Sequence, residues 1–327
     1  MKPPPFVYHR PASVEEATRL LAELGDEAKI VAGGQSLVPL LNFRLAAPAH
    51  LVDITGITGL DRLGWDDGAD GAVDVGATVR HSRLLRQREV AAAHPLLVEA
   101  TGWIAHPVIR NRGTVCGSLA HADPAAELPA VLALLGGDVE AVSWRGGSLA
   151  SRRVPAAELF AGPLQTTLEV DELVVAASFP TLAAGTGWAV EELARRHGDY
   201  ALAGVVLTVT VDGEGKATSG RAAYLSCAPT PVVVDLGPAL GGGGGGAGSA
   251  TVYDLVASSL DPTDDIHATA AYRRHLAATL TVRALDRALA RARTGTQPPQ
   301  SSQPELAAVS DARAAPTAAS SDGGAER

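Results

Sequence analysis

The sequence feature that most limits the fold is an apolar strand that runs directly into two adjacent glycines. Residues 29–32 have the pattern of a buried strand, Gly33 and Gly34 follow without a spacer, and residues 37–45 have helical character. Glycine permits positive φ and lets backbone N–H groups approach an anion, and the Ser36 hydroxyl adds a donor. The pattern predicts either a tight turn or one half of a phosphate-binding site.

A second segment of small residues repeats this chemistry. Residues 114–118 (Thr-Val-Cys-Gly-Ser) follow a stretch that we expect to be extended, and they carry a hydroxyl at each end. Two such segments can grip a diphosphate from both sides. Neither has the Gly-x-Gly-x-x-Gly pattern and neither lies in a repeating strand–helix–strand array, so a Rossmann NAD site is disfavoured.

The apolar periodicity of the rest of the chain predicts an α+β fold. Strands are predicted at residues 6–9, 50–54, 138–144, 173–179, 188–196, 201–211 and 221–225. Helices are predicted at residues 13–24, 81–89, 95–105 and 125–135. The turn-rich residues 180–185 predict a domain boundary near residue 182, after which the pattern restarts.

Two stretches of biased composition are predicted to lie outside the core. The six glycines at residues 241–246 lack the Lys-Ser/Thr pair of a phosphate loop, so they favour a flexible surface connection. Residues 294–327 are rich in Pro, Ser, Ala, Gln and Gly, which predicts a disordered tail because few apolar groups offset the entropy of ordering.

Composition narrows the classes of function. A chain of 327 residues with 46% hydrophobic residues can bury a large core, and a net charge of -9 without a basic patch disfavours nucleic acid as a partner. Cys116 and Cys227 are too few for an iron–sulfur cluster or a four-cysteine zinc site. With neither a signal-like start nor a membrane-length apolar run, we expect a cytoplasmic protein.

Several segments, in one order along the chain, resemble a known family. They are residues 32–37 (Ala-Gly-Gly-Gln-Ser-Leu), 109–118 (Ile-Arg-Asn-Arg-Gly-Thr-Val-Cys-Gly-Ser), 122–129 (Ala-Asp-Pro-Ala-Ala-Glu-Leu-Pro), 171–173 (Asp-Glu-Leu) and 195–201 (Arg-Arg-His-Gly-Asp-Tyr-Ala). Together they are similar to the FAD-binding medium subunits of the carbon monoxide dehydrogenase and xanthine dehydrogenase (molybdenum hydroxylase) family. The resemblance covers roughly residues 1–290.

The resemblance implies both a fold and a binding site. It implies an FAD-binding domain of the vanillyl-alcohol-oxidase (PCMH) type at residues 1–182, with subdomains at about 1–57 and 58–182, then a smaller α+β flavoprotein domain at residues 183–293. FAD would lie extended between the glycine segments, and no residue is expected to be catalytic or to bind metal. The cofactor-binding residues implied are Ala32, Gly33, Gly34, Gln35, Ser36, Leu37, Thr114, Gly117 and Ser118 for the diphosphate and ribityl region, Asp123 and Glu127 for hydroxyl groups, and Leu173 and Tyr200 for the isoalloxazine.

The resemblance also implies a role in a complex. Electrons would pass from a molybdenum centre in a large, molybdopterin-containing subunit, through 2Fe–2S clusters in a small subunit, to FAD in this chain and then to an external acceptor. A heterotrimer is implied. Two alternatives stay open: a free-standing FAD-dependent oxidoreductase of the same domain type, and a nucleotide-binding or scaffold protein in which both glycine segments are plain turns.

Two positions depart from the family pattern. Cys116 stands where many relatives have glycine, so this residue either carries strain at positive φ or has an ordinary backbone conformation. Glu191 and Glu192 lie near a position where several relatives have a lysine that reaches toward the flavin, and Arg195 or Arg196 is the candidate substitute.

Plainer interpretations compete at other polar residues. His121 and Asp123 lack a third ligand for zinc. A small buried thiol such as Cys116 is more often structural than nucleophilic. Of the four arginines at positions 110, 112, 195 and 196, we expect three to be solvated or ion-paired.

Overall fold

A computed structural model describes residues 2–66, 71–240 and 248–294. The predicted glycine connection at residues 241–246 and, apart from Thr294, the predicted tail lie outside these ranges. The strands are β1 Val7–His9, β2 Ala28–Val31, β3 His50–Asp53, β4 Leu63–Trp65, β5 Ala72–Gly76, β6 Asp138–Arg145, β7 Ser148–Pro155, β8 Phe160–Gly162, β9 Gln165–Thr166, β10 Leu173–Pro180, β11 Thr186–Ala194, β12 Ala201–Val211, β13 Ala217–Leu225 and β14 Val232–Asp235. The helices are α1 Val14–Leu24, α2 Leu37–Asn42, α3 His81–Arg86, α4 Arg88–Ala93, α5 Pro95–Trp103, α6 Pro107–Arg110, α7 Val115–His121, α8 Glu127–Leu135, α9 Ala156–Leu159, α10 Gly237–Leu240, α11 Ser249–Ser259 and α12 Ala270–Thr294.

The N-terminal part is a parallel three-stranded sheet in the order β1-β3-β2. Parallel neighbours need a crossover, and α1 and α2 supply the connections. Helix α1 begins where the Ser13 side chain accepts a hydrogen bond of 3.1 Å from the Glu16 backbone N–H, with Glu15 and Glu16 in its first turn. Strand β2 then delivers the chain to Gly33 and Gly34.

The next part is an antiparallel sheet of five strands in the order β4-β5-β10-β6-β7. The inward residues of β5 and β6, such as Val73, Val75 and Val139, are fully buried in one hydrophobic cluster with residues of α1, α3, α4, α5, α7 and α8. Strand β7 was not predicted because its residues Ser148 to Arg153 are exposed, which hides the alternation expected of a strand. A two-stranded ribbon of β8 and β9 follows.

The C-terminal part is an antiparallel sheet in the order β11-β12-β13-β14, covered on one face by α11 and the long α12. Val205, Leu207 and Val209 of β12 pack toward those helices, whereas Val206 joins the core of the preceding part. This alternation follows from the two-residue period of a strand. Strand β12 therefore contributes side chains to both hydrophobic clusters.

Three predicted elements end differently in the structure. Helix α2 stops at Asn42 rather than residue 45, since Arg44 has φ of 58°. The helix predicted at residues 81–89 is two helices, because Gln87 has an extended ψ of 101° that interrupts the hydrogen-bond ladder. The stretch before residue 114, expected to be extended, contains the short helix α6, with Pro107 at its first position.

Candidate functional site

The two glycine segments are in direct backbone contact. A Cβ atom added to Gly33 would overlap the Arg112 carbonyl oxygen and lie 2.8 Å from the Gly113 Cα atom. Gly33 thus has no room for a side chain. Because glycine has no Cβ atom, the loop after β2 can approach the loop before α7. We call this arrangement, residues 32–37 with residues 112–118, the clamp.

The first half of the clamp is a tight turn with free polar groups. Gly34 has φ of 71°, which favours glycine, and the Gln35 side chain donates a hydrogen bond of 3.1 Å to the Gly33 carbonyl. Ser36 occupies the N-cap position of α2 without using its hydroxyl as a cap. Ala32, Gln35, Ser36 and Leu37 are half-buried, so this turn is open to a ligand on one side.

The second half of the clamp is a helix N-terminus rather than the loop that the sequence predicted. Thr114 is the N-cap of α7, and its hydroxyl accepts a hydrogen bond of 3.1 Å from the Gly117 backbone N–H. A Cβ atom on Gly117 would lie 2.5 Å from that hydroxyl oxygen, so the cap requires glycine there. Gly117 is exposed and Ser118 half-buried, whereas Thr114 itself is buried.

Cys116 has an ordinary helical backbone, so of the two possibilities for this residue the unstrained one is correct. Its side chain is 2% exposed and its thiol donates to the Val75 carbonyl at 3.3 Å. Burial raises the pKa of the Cys116 thiol to about 12, which keeps the nucleophilic thiolate from forming at neutral pH. Cys116 therefore joins α7 to β5.

His81 lies beneath the second half of the clamp and was not singled out from the sequence. Its backbone N–H donates 3.0 Å to the Gly113 carbonyl, and its ring lies 3.0 Å from where a Gly113 Cβ atom would be. The ring is buried near the Thr114 backbone, yet neither ring nitrogen forms a hydrogen bond of good geometry. Burial, assisted by the charges of Arg110 and Arg80, lowers the pKa of His81 to about 4 and keeps it neutral.

Two arginines give the clamp a positive charge. The Arg80 guanidinium donates to the Arg112 carbonyl oxygen, and the Arg80 backbone forms an isolated bridge with Thr114. Burial and the like charge of Arg112 lower the pKa of Arg80, while Asp53 acts in the opposite direction. Arg110, by contrast, is buried and donates to the carbonyls of residues 102, 104 and 105, so its role is structural.

Two acidic side chains, Asp123 and Glu127, lie near Tyr200, which is 70% exposed. Partial burial and the nearby charges of Asp123 and Glu127 raise the pKa of Tyr200. Burial, followed by the charges of Glu192 and Asp123, raises the pKa of Glu127 to about 8. Burial raises the pKa of Glu192 to about 7. The structure thus brings together three predicted site residues, Asp123, Glu127 and Tyr200. It also places Glu192, which was not predicted to bind the cofactor, near Glu127.

The loop that carries Tyr200 is fixed by His106. Gly198 has φ of 83°, and a Cβ atom there would overlap the His106 ring, lying 2.6 Å from its Nε2 atom. The rings of His106 and His197 meet edge to face, with centroids 6.1 Å apart. Only the absence of a side chain at Gly198 allows this packing.

Arg195 and Arg196 were the candidates to replace the lysine that several relatives have near the flavin. Arg195 donates to the His267 carbonyl at 3.1 Å, and Arg196 is exposed. Glu191 forms an ion pair with Arg287 of α12, whereas Glu192 faces Glu127 without a salt bridge among the described residues. The negative charge of Glu191 is thus balanced by an arginine of the C-terminal helix α12, whereas no such ion pair balances Glu192 among the described residues.

Leu173, which was predicted to contact the isoalloxazine, is buried. It begins β10 opposite Val142 and is 1% exposed within the hydrophobic core. Leu173 follows Glu172 in the sequence, and the Glu172 carboxylate forms an ion pair with the Arg152 guanidinium at 2.6 Å.

Among the described residues, no three His, Cys, Asp or Glu side chains are grouped so as to hold a metal ion. None of the helices in the described part of the chain combines the length and apolar character needed to cross a bilayer.

The fold and the clamp define the class of α+β proteins with an FAD-binding domain followed by a flavoprotein C-terminal domain. Residues 4–182 match the family model described as the FAD binding domain in molybdopterin dehydrogenase, and residues 188–288 match the CO dehydrogenase flavoprotein C-terminal domain. The chain belongs to this family. The resemblance inferred from the sequence motifs is therefore confirmed.

Individual relatives agree with this assignment. The chain is 42% identical to the 6-hydroxypseudooxynicotine dehydrogenase complex subunit alpha of Paenarthrobacter nicotinovorans, over 90% of this chain and 97% of the relative. It is 38% identical to the carbon monoxide dehydrogenase medium chain of Hydrogenophaga pseudoflava, over 89% and 99% of the two chains. The solved carbon monoxide dehydrogenase from Hydrogenophaga pseudoflava, which lacks the Mo-pyranopterin moiety, superposes with a TM-score of 0.81 at 37% identity, covering 89% of this chain and 99% of that one.

These relationships confirm the predicted cofactor and activity class. FAD is the cofactor, and the chain is the FAD-binding subunit of a molybdenum hydroxylase, an oxidoreductase. Its relatives are medium subunits of multi-subunit complexes.

Proposed function

We propose that the chain holds FAD along the clamp and relays electrons from partner subunits to an external acceptor. The electrons would come from a molybdenum centre in a large, molybdopterin-containing subunit through 2Fe–2S clusters in a small subunit, in a heterotrimer. When bound, FAD can accept electrons singly and release them singly or in pairs. The residues of this chain bind the cofactor, orient it and set the charge around it.

The observation that carries this proposal is the backbone contact between Gly33 and residues 112–113. Two segments far apart in sequence meet where Gly33 has no room for a side chain, and each segment carries a half-buried serine, Ser36 in one and Ser118 in the other. The charges of Arg80 and Arg112 beside this contact suit a diphosphate, because guanidinium groups bind phosphate oxygens in a bidentate manner. The donor set of the clamp therefore fits the diphosphate of FAD.

The other predicted contacts follow from the same assignment. Asp123 and Glu127 would accept hydrogen bonds from hydroxyl groups of the cofactor, and Tyr200 would lie against the isoalloxazine. Because burial raises the pKa of Glu127 to about 8, this carboxyl is largely protonated at neutral pH; its carbonyl oxygen can still accept a hydrogen bond, and its hydroxyl can donate one. A cytoplasmic location stays a prediction.

The clamp is tested by adding one methyl group. Gly33→Ala should weaken FAD binding at least about tenfold, because the new Cβ atom overlaps the Arg112 carbonyl and forces the two halves apart. The measurement is the quenching of flavin fluorescence as FAD is added to the flavin-free full-length chain. Gly213→Ala is the matched control, since nothing lies within 4 Å of a Cβ atom there. Equal FAD affinity in the Gly33→Ala variant and the wild type would contradict the assigned clamp.

The free-standing alternative predicts a different behaviour of the isolated chain. A self-sufficient oxidoreductase would bleach its own flavin when given an organic substrate. The electron-relay proposal predicts that the isolated, FAD-loaded chain is bleached by dithionite but by no substrate until partner subunits are added. Substrate-dependent bleaching of the isolated chain would favour the alternative.

A further inference from the structure

The contact between the His106 ring and Gly198 joins the loop that carries Tyr200 to the part of the chain that forms the clamp. The ring fills the space beside Gly198, so that a Cβ atom there would lie 2.7 Å from its Nδ1 atom. The His197 ring meets the His106 ring edge to face. Among the described residues the His106 ring forms no hydrogen bond, so it holds this loop by packing alone.

The backbone of His106 leads directly into the second half of the clamp. Its carbonyl accepts hydrogen bonds from the N–H groups of Ile109 and Arg110, at 2.9 and 3.1 Å. The Ile109 carbonyl accepts a hydrogen bond of 2.7 Å from the Gly113 N–H, and Gly113 is one of the residues against which Gly33 packs. A continuous set of backbone hydrogen bonds therefore connects His106 to the clamp.

The turn that presents the His106 ring has a strained backbone. Ala105 has φ of 42°, in the left-handed region that disfavours residues with a side chain. The buried Arg110 guanidinium fixes this turn, because it donates to the carbonyls of Gly102, Ile104 and Ala105 at 3.3, 2.7 and 2.8 Å. Strain of this kind persists only where the surrounding structure enforces it, and it is concentrated at functional sites. The His106 ring is therefore presented by a rigid support.

The loop on the other side of this contact carries the aromatic side chain that is proposed to lie against the isoalloxazine. Tyr200 follows Gly198 by two residues and has a largely exposed side chain. At its start the loop is anchored by Arg195, which donates to the His267 carbonyl at 3.1 Å. Between that anchor and the start of β12, the loop packs against the His106 ring at Gly198.

We propose that His106 is a positioning residue that holds Tyr200 over the isoalloxazine of the FAD bound at the clamp. The inference rests on the proposed function, which places FAD along the clamp and Tyr200 against its ring system. His106 acts through the Tyr200 loop and does not itself contact the cofactor. Because its backbone is continuous with the clamp, the bound diphosphate and the aromatic ring that covers the flavin share one support.

The test measures how well the bound flavin is covered, separately from how tightly FAD binds to the full-length chain. His106→Ala truncates an exposed side chain and keeps the backbone bonds to the clamp, so FAD affinity should stay within about threefold of the wild type. The Stern–Volmer constant for iodide quenching of bound-flavin fluorescence should rise at least about twofold, because Tyr200 then spends more time away from the flavin. His106→Phe keeps a ring beside Gly198 and should cover the flavin as the wild type does.

Two further variants separate positioning from a general structural effect. His275→Ala is the matched control, since His275 is an exposed histidine whose ring packs against that of Tyr253, with centroids 5.9 Å apart, and it should change neither quantity. Tyr200→Ala should expose the flavin at least as much as His106→Ala. The double variant should expose it no more than Tyr200→Ala alone, because His106 acts through Tyr200.

The outcomes distinguish failure of the inference from failure of the proposed function. Iodide quenching that rises in Tyr200→Ala but not in His106→Ala would overturn the inference and leave the proposed function intact. Fully additive effects of the two substitutions, or quenching in His106→Phe that matches His106→Ala, would overturn it as well. Quenching unchanged by Tyr200→Ala would overturn the proposed Tyr200 contact, and a wild-type chain that binds no FAD would overturn the proposed function; the inference falls in both cases.

Discussion

At the scale of single residues, two features shape the site. Glycines leave room for neighbouring atoms, and buried carboxyl groups lack an ion-pair partner among the described residues. Gly33 and Gly198 each remove a Cβ atom that would collide with a neighbour, the Arg112 carbonyl in one case and the His106 ring in the other. Glu127 and Glu192 place two largely buried carboxyl groups near each other, and neither forms a salt bridge within the described residues. Such an arrangement costs folding free energy and is retained where a ligand needs it.

The Glu127 carboxyl gives a pH dependence with a defined sign. Its pKa is about 8 in the folded chain and near 4.5 when unfolded, so the folded state binds the proton more tightly. Stability is therefore highest below pH 4.5 for this group and falls as pH rises toward 8. Glu127→Gln should raise the free energy of unfolding by roughly 3 kcal/mol more at pH 8 than at pH 5, measured by urea denaturation without FAD. An equal effect at both pH values would contradict the assigned pKa.

At the scale of elements, the loop from β11 to β12 is positioned by contact with the FAD-binding part. Gly198→Ala should destabilise the chain by about 2 kcal/mol, from the positive φ and from overlap with His106. Gly215→Ala is the control for the first cause alone, because Gly215 has φ of 76° and its nearest neighbour is the flexible Arg293 side chain. Adding His106→Ala should remove part of the Gly198→Ala effect in a double-mutant cycle. Strict additivity would mean that the ring contact does not matter.

Much of this element pattern could be predicted from the sequence, and the failures have local causes. Strands β2, β3, β6, β10 and β12 were predicted because their apolar residues alternate or are continuous. The helix that begins at Val115 was missed because Thr114, Gly117 and Ser118 suggest a loop until the Thr114 cap is seen. His81, Arg80 and the ion pair of Glu191 with Arg287 depend on contacts between distant segments, which no local pattern encodes.

At the scale of the whole molecule, one carboxylate joins three elements that are distant in sequence. Glu99 of α5 accepts hydrogen bonds from Trp188 of β11 at 3.0 Å and from Arg291 of α12 at 2.7 Å, and Arg287 lies 3.3 Å away. The Arg291 guanidinium also stacks over the Trp188 ring, 5.0 Å from its centroid. The long C-terminal helix is thereby tied to a helix of the FAD-binding part.

Because of this connection, we expect substitution of Glu99 to lower the free energy of unfolding more than substitution of an exposed ion-paired carboxylate. Glu99→Leu should lower the free energy of unfolding by about 2 kcal/mol, because the partly buried Arg291 and the Trp188 indole N–H lose their carboxylate partner, and Arg287 keeps only Glu191. Asp138→Leu removes the exposed pair with Arg153 and should cost less than about 1 kcal/mol. Both are measured by urea denaturation. Similar costs for the two variants would show that Glu99 makes no special contribution.

The backbone contact at Gly33 has a consequence for how any preparation of this protein is judged. The two halves of the clamp, residues 32–37 and 112–118, are separated by residues 38–111, so they cannot bind a diphosphate together until the chain between them has folded. A misfolded or partly unfolded chain is therefore expected not to bind FAD at the clamp, even weakly. The yellow colour retained by a sample is accordingly a gauge of its natively folded fraction.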